Sequence, residues 1–127
     1  MPISNLVTNV KIADVRSFST SLSKVSSEAW GSPDSDGSNT SASVVYNESL
    51  NFNGTYDPAF MLEFKFIDVG RSGTERRDAF AKRLCKFFEE ELEIPQSRGY
   101  ILFKVLANNE IAMDGVTYET WLCRQPK

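Results

Sequence analysis

Apolar residues recur along the chain at two spacings, one typical of strands and one typical of helices. Residues 58–69 have the clearest strand pattern, because apolar positions alternate with mixed ones over the whole stretch. The side chains on its apolar side are Phe60, Leu62, Phe64 and Phe66. Further strands are predicted at residues 2–10, 42–46, 100–106 and 116–122. The Asn53-Gly54 pair predicts a hairpin turn before the central strand.

A first helix is predicted over residues 13–30, where apolar residues follow one another every three or four positions. They are Val15, Phe18, Leu22, Val25 and Ala29. Gly31 and Pro33 end this helix, because glycine accepts a left-handed cap and proline cannot continue the hydrogen-bond ladder. A loop rich in Pro, Asp, Ser, Gly and Asn follows at residues 32–40. The next strand has two candidate inward positions, Tyr46 and Leu50.

A second helix is predicted over residues 74–92, capped either by Thr74 or by Ser72 together with Glu75. Its apolar side consists of Phe80, Leu84, Phe87, Phe88 and Leu92. Its other side is basic and consists of Arg76, Arg77, Lys82, Arg83 and Lys86. Four nearby glutamates nearly balance these charges, so a solvated helix face is expected rather than a binding surface.

The order of elements is strand, helix, strand, followed by strand, helix, strand. It predicts an α+β fold in a single domain, residues 1–127, made from one β-α-β unit used twice. Both helices are expected on one face of a four-stranded sheet. The other face, expected to be rich in Phe and Ile, needs a covering partner, which predicts oligomerisation.

Composition excludes several kinds of chemistry. The chain has 127 residues and no histidine, which excludes Ser-His-Asp catalysis, Cys-His catalysis and His-ligated zinc. Cys85 and Cys123 lack the paired spacing of a zinc or CxxC site and are expected to be reduced thiols. We therefore expect no metal and no cofactor.

Charge and hydropathy limit the partners and the location. The net charge of −3 offers no basic face for phosphates, so no nucleic-acid partner is expected. No apolar run approaches the ~20 residues of a transmembrane helix, and the first residues do not read as a signal peptide. We expect no membrane partner, and a cytoplasmic protein or one secreted without a signal peptide.

Pro2 is the candidate for acid–base chemistry. Methionine is normally removed before so small a residue, which leaves a secondary amine at the start of a strand. A solvated α-amino group titrates near pH ~8, and burial in an apolar pocket lowers its pKa because the neutral form is favoured. A neutral amine near pH 7 can act as a general base. The alternative is a Met-Pro start with no catalytic role.

Four features occur in a characteristic order along the chain. They are Pro2 opening a strand, the sequence TNV at residues 8–10 before a helix ending at Gly31, LCKFFEEELEI at residues 84–94, and RGYI at residues 98–101. Together they resemble the macrophage migration inhibitory factor family of the tautomerase superfamily. The resemblance implies a β-α-β-β-α-β protomer with a four-stranded mixed sheet, forming a homotrimer with a pocket at each subunit interface.

The resemblance also implies a set of site residues. Pro2 matches the catalytic base, which moves a proton from the carbon beside a carbonyl and so interconverts keto and enol forms. The substrate would be a small aromatic or enolisable carbonyl or carboxylate compound. The positions that match the substrate-binding wall are Val69, Tyr100, Ile111, Met113 and Tyr118. Ordinary core or interface packing is the alternative for these wall positions.

The chain departs from the family pattern at polar pocket positions. Ser32 replaces the lysine that binds the substrate carboxylate, and Leu102 replaces an asparagine that hydrogen-bonds the substrate. The paired-cysteine motif of the cytokine members is absent at residues 58–61 (PAFM). Losing a charged hydrogen bond weakens carboxylate binding by about 1.5–3 kcal/mol. Arg71 resembles the pocket arginine of dehalogenase and decarboxylase relatives and is a replacement cation, unless it is a solvent-exposed loop residue.

Three functions are compatible with these features. The first is a keto–enol tautomerase of the phenylpyruvate or dopachrome type, with the proline as base and reduced activity. The second is a cytokine-like ligand for a protein receptor, with a vestigial pocket. The third is a structural trimer without activity.

Overall fold

The computed structural model describes residues 2–31, 40–67, 70 and 73–124. The first half of the chain forms β1 (Ile3–Thr8), α1 (Val15–Trp30) and β2 (Ser41–Tyr46). The second half forms β3 (Phe60–Ile67), α2 (Thr74–Leu92) and β4 (Gly99–Leu106). A short hairpin of β5 (Ala112–Met113) and β6 (Val116–Thr117) follows, and then a third helix, α3 (Tyr118–Arg124). The predicted α+β order of two β-α-β units is confirmed.

The four long strands form one mixed sheet in the order β2-β1-β3-β4. Within each unit the two strands are parallel, as a helical crossover requires. The units meet along the central antiparallel pair, in which Ile3 lies opposite Lys65 and Thr8 lies opposite Phe60. β1 and β3 are therefore the two inner strands, and β2 and β4 are the edges.

Both long helices cover the same face of the sheet. The even-numbered residues of β3 point into this layer and are buried, as their alternation predicts. The helices contribute the matching apolar stripes, and a stacked pair of rings, Phe18 and Phe87, joins α1 to α2 with centroids 5.5 Å apart. The largest fully buried apolar side chains are Phe60, Phe64, Phe66, Phe80, Phe88, Leu6, Leu22, Leu62, Leu84 and Ile94.

The helix ends agree only in part with the prediction. Gly31 ends α1 in the left-handed conformation at φ 73°, as expected, and the Asp14 side chain caps its start by accepting the N–H of Ser17 at 3.0 Å. The predicted cap of α2 is wrong, because Gly73 is the cap residue without a side-chain hydrogen bond and Thr74 is already helical. The other residues named for these ends, Pro33 and Ser72, lie outside the described residues.

The open face of the sheet is not the phenylalanine-rich one that the sequence predicted. The phenylalanines of β3 and β4 lie under the helices. The open face carries apolar side chains on both sides of a charged centre, where Glu63 contacts Lys65 at 3.4 Å and Lys104 at 3.2 Å. The apolar residues around this centre are Ile3, Val7, Val45, Met61, Ile67, Tyr100, Leu102 and Leu106. This face is therefore mixed, with ion pairs at the centre of the sheet.

The edge position of β2 and the C-terminal turn explain two further differences. Tyr46 points to the helix side, but it remains partly exposed because β2 has a neighbour on one side only. The predicted last strand ends at Thr117 instead of residue 122, and a helix follows. The Asp114-Gly115 turn, with both residues at positive φ, closes the β5–β6 hairpin. Thr117 then starts α3 by accepting the N–H of Thr120 at 3.1 Å.

Candidate active site

Pro2 is buried immediately before β1. Its carbonyl accepts the N–H of Ser41 at 3.2 Å, which fixes it between the starts of β1 and β2. Extending the antiparallel register by one residue places it opposite Phe66 on β3. Pro2 therefore lies at the edge of the aromatic core, at the sheet end where β3 and β4 finish.

Aromatic rings and two guanidinium groups occupy the same end of the molecule. Trp30 packs on Phe66 with ring centroids 4.5 Å apart. The guanidinium of Arg76 lies 4.2 Å from the Trp30 ring, and its Nε donates to the Trp30 carbonyl at 2.8 Å. Arg77 lies 5.6 Å from the Phe66 ring and 5.4 Å from the Phe103 ring.

These contacts correct the prediction for the basic side of α2. Lys82, Arg83 and Lys86 are exposed as expected, but Arg76 and Arg77 cover the core instead of facing solvent alone. Arg76 also places a positive charge at the C-terminal end of α1, where the helix dipole favours it. No spacing rule for a single helix indicates this role, because the carbonyl that accepts the hydrogen bond belongs to the other helix.

Tyr100 lies on the open face of β4, opposite Met61, and is 58% exposed. In the register of β3, Met61 and Phe66 are five residues apart, which is about 16 Å of strand. Pro2 and Tyr100 therefore stand at opposite ends of the sheet in one protomer. A single site that contains both of them requires a second copy of the chain.

The loop between β2 and β3 is held against Tyr100 by two residues from the family-like motifs. Asn9 donates to the carbonyls of the loop residues Leu50, Tyr56 and Asp57 at 3.1, 3.2 and 3.0 Å, and it accepts the N–H of Ala59 at 2.9 Å. Arg98 donates to the Pro58 carbonyl at 2.9 Å and lies 5.4 Å from the Phe52 ring. Phe52 in turn packs on Tyr100 at 5.1 Å. Asn9 of the TNV segment and Arg98 of the RGYI segment therefore both hold the β2–β3 loop in place.

Ile111, Met113 and Tyr118 come together where the C-terminal hairpin meets α3. The N–H of Tyr118 donates to the Ile111 carbonyl at 2.9 Å, next to the short β5–β6 pair that contains Met113. β4 enters this segment from Leu106, which pairs with Ile67 at the Pro2 end of the sheet. The structure therefore gathers these three predicted wall residues in one module. Val69, Arg71 and Ser32 lie outside the described residues.

Two ionisable groups have shifted pKa values for clear physical reasons. The hydrogen bond from Lys104 lowers the pKa of Glu63. Desolvation opposes this effect, and the hydrogen bond from Lys65 and the charges of both lysines add to the lowering. Burial raises the pKa of the Cys85 thiol, and the nearby charge of Glu89 adds to this effect. Neither group adjoins Pro2.

A cavity of about 550 Å³ lies away from the predicted site. It opens between the loop after β1 and the end of α2, at the other end of β1 from Pro2, and it contains Lys11, Asp14 and Glu90 to Glu93. None of the predicted site residues lines it.

Within the described residues, none of the helices combines the length and apolar character needed to span a bilayer.

Comparison with known proteins agrees with this architecture. A family model described as macrophage migration inhibitory factor matches residues 1–119. The homologue from Brugia malayi is 29% identical over 93% of this chain and 99% of its own length, and that from Trichinella spiralis is 32% identical over 93% and 100%. The crystal structure of the Prochlorococcus marinus homologue covers 91% of this chain and 98% of its own, with 26% identity and a TM-score of 0.80.

Two β-α-β units in one mixed sheet, shared with these relatives, define a protein of the tautomerase-superfamily fold. Because the matching family model spans nearly all of the described chain, the sequence-based resemblance is confirmed. The chain belongs to the macrophage migration inhibitory factor family.

Proposed function

We propose that this chain is a keto–enol tautomerase of the phenylpyruvate or dopachrome type, with Pro2 as its general base. The observation that carries the proposal is the burial of Pro2 at the start of β1, beside the aromatic end of the core. After removal of Met1, its nitrogen is a secondary amine. An amine in apolar surroundings favours the neutral form, which is the form that accepts a proton.

The reaction needs only one proton to move. The amine takes a proton from the carbon beside the substrate carbonyl, and the electron pair of that C–H bond forms the enol double bond. The carbonyl oxygen then receives a proton, so keto and enol forms interconvert without oxidant or metal. The chemistry fits a chain without histidine.

The active unit in this proposal is a homotrimer. Its support is the separation of Pro2 from Tyr100 within one protomer, together with the family resemblance that implies three copies. At each interface Pro2 of one protomer would meet the tyrosine of its neighbour. Sedimentation equilibrium tests this assembly. A mass of three protomers is expected, and a monomer at micromolar concentration would contradict it.

The substrate class follows from the wall and from the polar positions. Ile111, Met113 and Tyr118 offer apolar and aromatic surface, which suits an aromatic ring beside an enolisable carbonyl. Arg71 is our candidate for the carboxylate, since Ser32 carries no charge. Leu102 on the open face of β4 cannot hydrogen-bond a substrate, so we expect weaker activity than in a pocket with an asparagine there.

The decisive experiment compares properly processed wild type with Pro2→Ala. Intact mass spectrometry first establishes that Met1 is absent. Tautomerisation of phenylpyruvate and 4-hydroxyphenylpyruvate is then followed by ultraviolet absorbance. We expect turnover by wild type, a loss of at least about 100-fold in Pro2→Ala, as for removal of a general base, and full activity in the control Pro95→Ala, which alters an exposed turn. Processed wild type without turnover would overturn the proposal.

The second candidate is a cytokine-like protein ligand with a vestigial pocket. The observation that favours it is the replacement of two polar pocket positions by Ser32 and Leu102. It predicts saturable binding of the processed protein to a cell-surface receptor, and binding that is unchanged in Pro2→Ala. Turnover that depends on Pro2 would favour the enzyme instead.

A further inference from the structure

The helix α3 carries exposed aromatic and apolar side chains that the core does not use. None of its residues is buried, and Trp121 and Leu122 are 43% and 41% exposed. Residues 120–124 also lie beyond the segment 1–119 that matches the family model. Whatever this part of the helix does is therefore a feature of this chain rather than part of the family pattern.

Trp121 is stacked on Tyr118, one of the predicted wall residues. The two ring centroids are 5.6 Å apart and the ring planes differ by 15°. Their spacing of three residues places both side chains on one side of the first helical turn. Thr117 fixes that turn through its hydrogen bonds with the N–H and the hydroxyl of Thr120, both at 3.1 Å. The two rings are therefore held in one fixed arrangement and together form an aromatic surface.

The location of this pair links it to the proposed active site. β4 ends at Leu106 on the Pro2 side of the sheet, and the hairpin and α3 follow directly. Tyr118 is joined to Ile111 by a backbone hydrogen bond, so the two rings continue the apolar surface of the hairpin. Flat conjugated groups gain from contact with aromatic faces, whereas saturated rings gain only from burial of area.

We propose that Trp121 is a substrate-positioning residue that extends the aromatic wall of the Pro2 pocket and selects planar aromatic carboxylates over saturated ones. The inference rests on the proposed function for the location of the pocket. It adds a residue outside the family pattern and a stated preference between ligand classes.

The test uses two acids that cannot tautomerise, cinnamate as the planar aromatic probe and 3-cyclohexylpropanoate as the saturated one. Isothermal titration calorimetry measures the binding of both to the full assembled protein. We expect Trp121→Ala to bind cinnamate about threefold to tenfold more weakly, the range for one aromatic contact, and to bind the saturated acid unchanged. Trp121→Phe should retain most of the cinnamate affinity. Leu122→Ala, on the same helix and equally exposed, should bind both acids like wild type.

A second measurement uses wild type alone. Trp30 is buried in the core, so acrylamide should quench mainly the fluorescence of Trp121. Saturating cinnamate should protect Trp121 from quenching, and the saturated acid should protect it less. Equal protection by both acids, or none by cinnamate, would contradict the selectivity.

The outcomes separate this inference from the proposed function. If Pro2→Ala and wild type show no difference in turnover but cinnamate binding still depends on Trp121, the function fails and the inference stands. If turnover depends on Pro2 but Trp121→Ala binds cinnamate like wild type, only the inference fails. Absence of cinnamate binding to wild type overturns it too. Equal weakening of both acids with a lower assembly mass assigns Trp121 to subunit contact and also overturns it.

Discussion

Gly99, at the start of β4, has the tightest surroundings of the described glycines. A Cβ added there would lie 2.2 Å from Cε1 of Phe60 and 2.4 Å from two further atoms of that ring. Phe60 is fully buried and packs against Phe88 with ring centroids 4.6 Å apart, so the ring has little room to move. Gly99→Ala should therefore force the strand and the ring apart.

The expected cost follows from this overlap. An ordinary carbon–carbon contact begins near 3.5 Å, so the ring or the strand must give way by roughly 1 Å. Overpacking of a filled core costs about 1–3 kcal/mol, and the lack of space behind Phe60 places this variant at the upper end. The displacement also reaches Tyr100, the next residue of β4. We expect a loss of about 3 kcal/mol in the free energy of unfolding.

Chemical unfolding at a fixed protomer concentration measures this loss through the fluorescence of the buried Trp30. Gly73→Ala is the matched control, because no atom lies within 4 Å of its added Cβ and its φ of −67° suits alanine. The control should change stability by less than about 1 kcal/mol. A Gly99→Ala protein within about 0.5 kcal/mol of wild type would refute the steric reasoning.

A double substitution tests the cause. Phe60→Leu removes part of the ring that the new Cβ would meet. In the Phe60→Leu background, Gly99→Ala should cost at least about 1 kcal/mol less than in wild type, since the two positions are in contact. Simple additivity would show that the loss has another origin.

Three further predictions concern groups described above. Asn9→Ala should lose about 2–3 kcal/mol of unfolding free energy, because it removes several hydrogen bonds to the β2–β3 loop at once, each worth about 0.5–1.5 kcal/mol. A loss below about 0.5 kcal/mol in urea unfolding would contradict the anchoring role of Asn9. A thiol reagent at pH 7 should modify the exposed Cys123 in the folded protein and Cys85 only after unfolding, since burial and Glu89 raise the pKa of Cys85. Equal rates of modification of the two cysteines in the folded protein would contradict the protection of Cys85. Glu63→Gln should cost about 0.5–1 kcal/mol of unfolding free energy at pH 7. Because folding lowers the pKa of Glu63, the difference from wild type should be present above pH ~4.5 and disappear as acid protonates the folded carboxylate. A difference that persists at pH 2 would rule out the ion pairs as its source.

Local pattern predicted most of the fold. The alternation of β3 and the helical stripes of α1 and α2 depend only on the period with which a strand or helix presents its side chains, so neighbours along the chain suffice to read them. Gly31 and the Asn53-Gly54 turn are similar cases, because their backbone conformations are local properties of glycine and asparagine. The same holds for the order of the two β-α-β units.

The error for the basic side of α2 arose because partners distant in sequence decide the outcome. Arg76 and Arg77 read as a solvated face, but the carbonyl of Trp30 and the rings of Phe66 and Phe103 attract them from other elements. The helix α3 differs from the predicted strand for a local reason, since a short apolar run fits either period and Thr117 caps a helical turn there.

The sequence by itself determined the four long strands, the two long helices, their order and the family, because motif order and hydrophobic period are local properties of the chain. Only the tertiary structure decided which face of the sheet is covered and how far the site residues lie apart. Strand register sets these facts, and register depends on pairing between residues as distant in sequence as Ile3 and Lys65. It places Pro2 and Tyr100 at opposite ends of one sheet, and for that reason a site that holds both must be built from more than one chain.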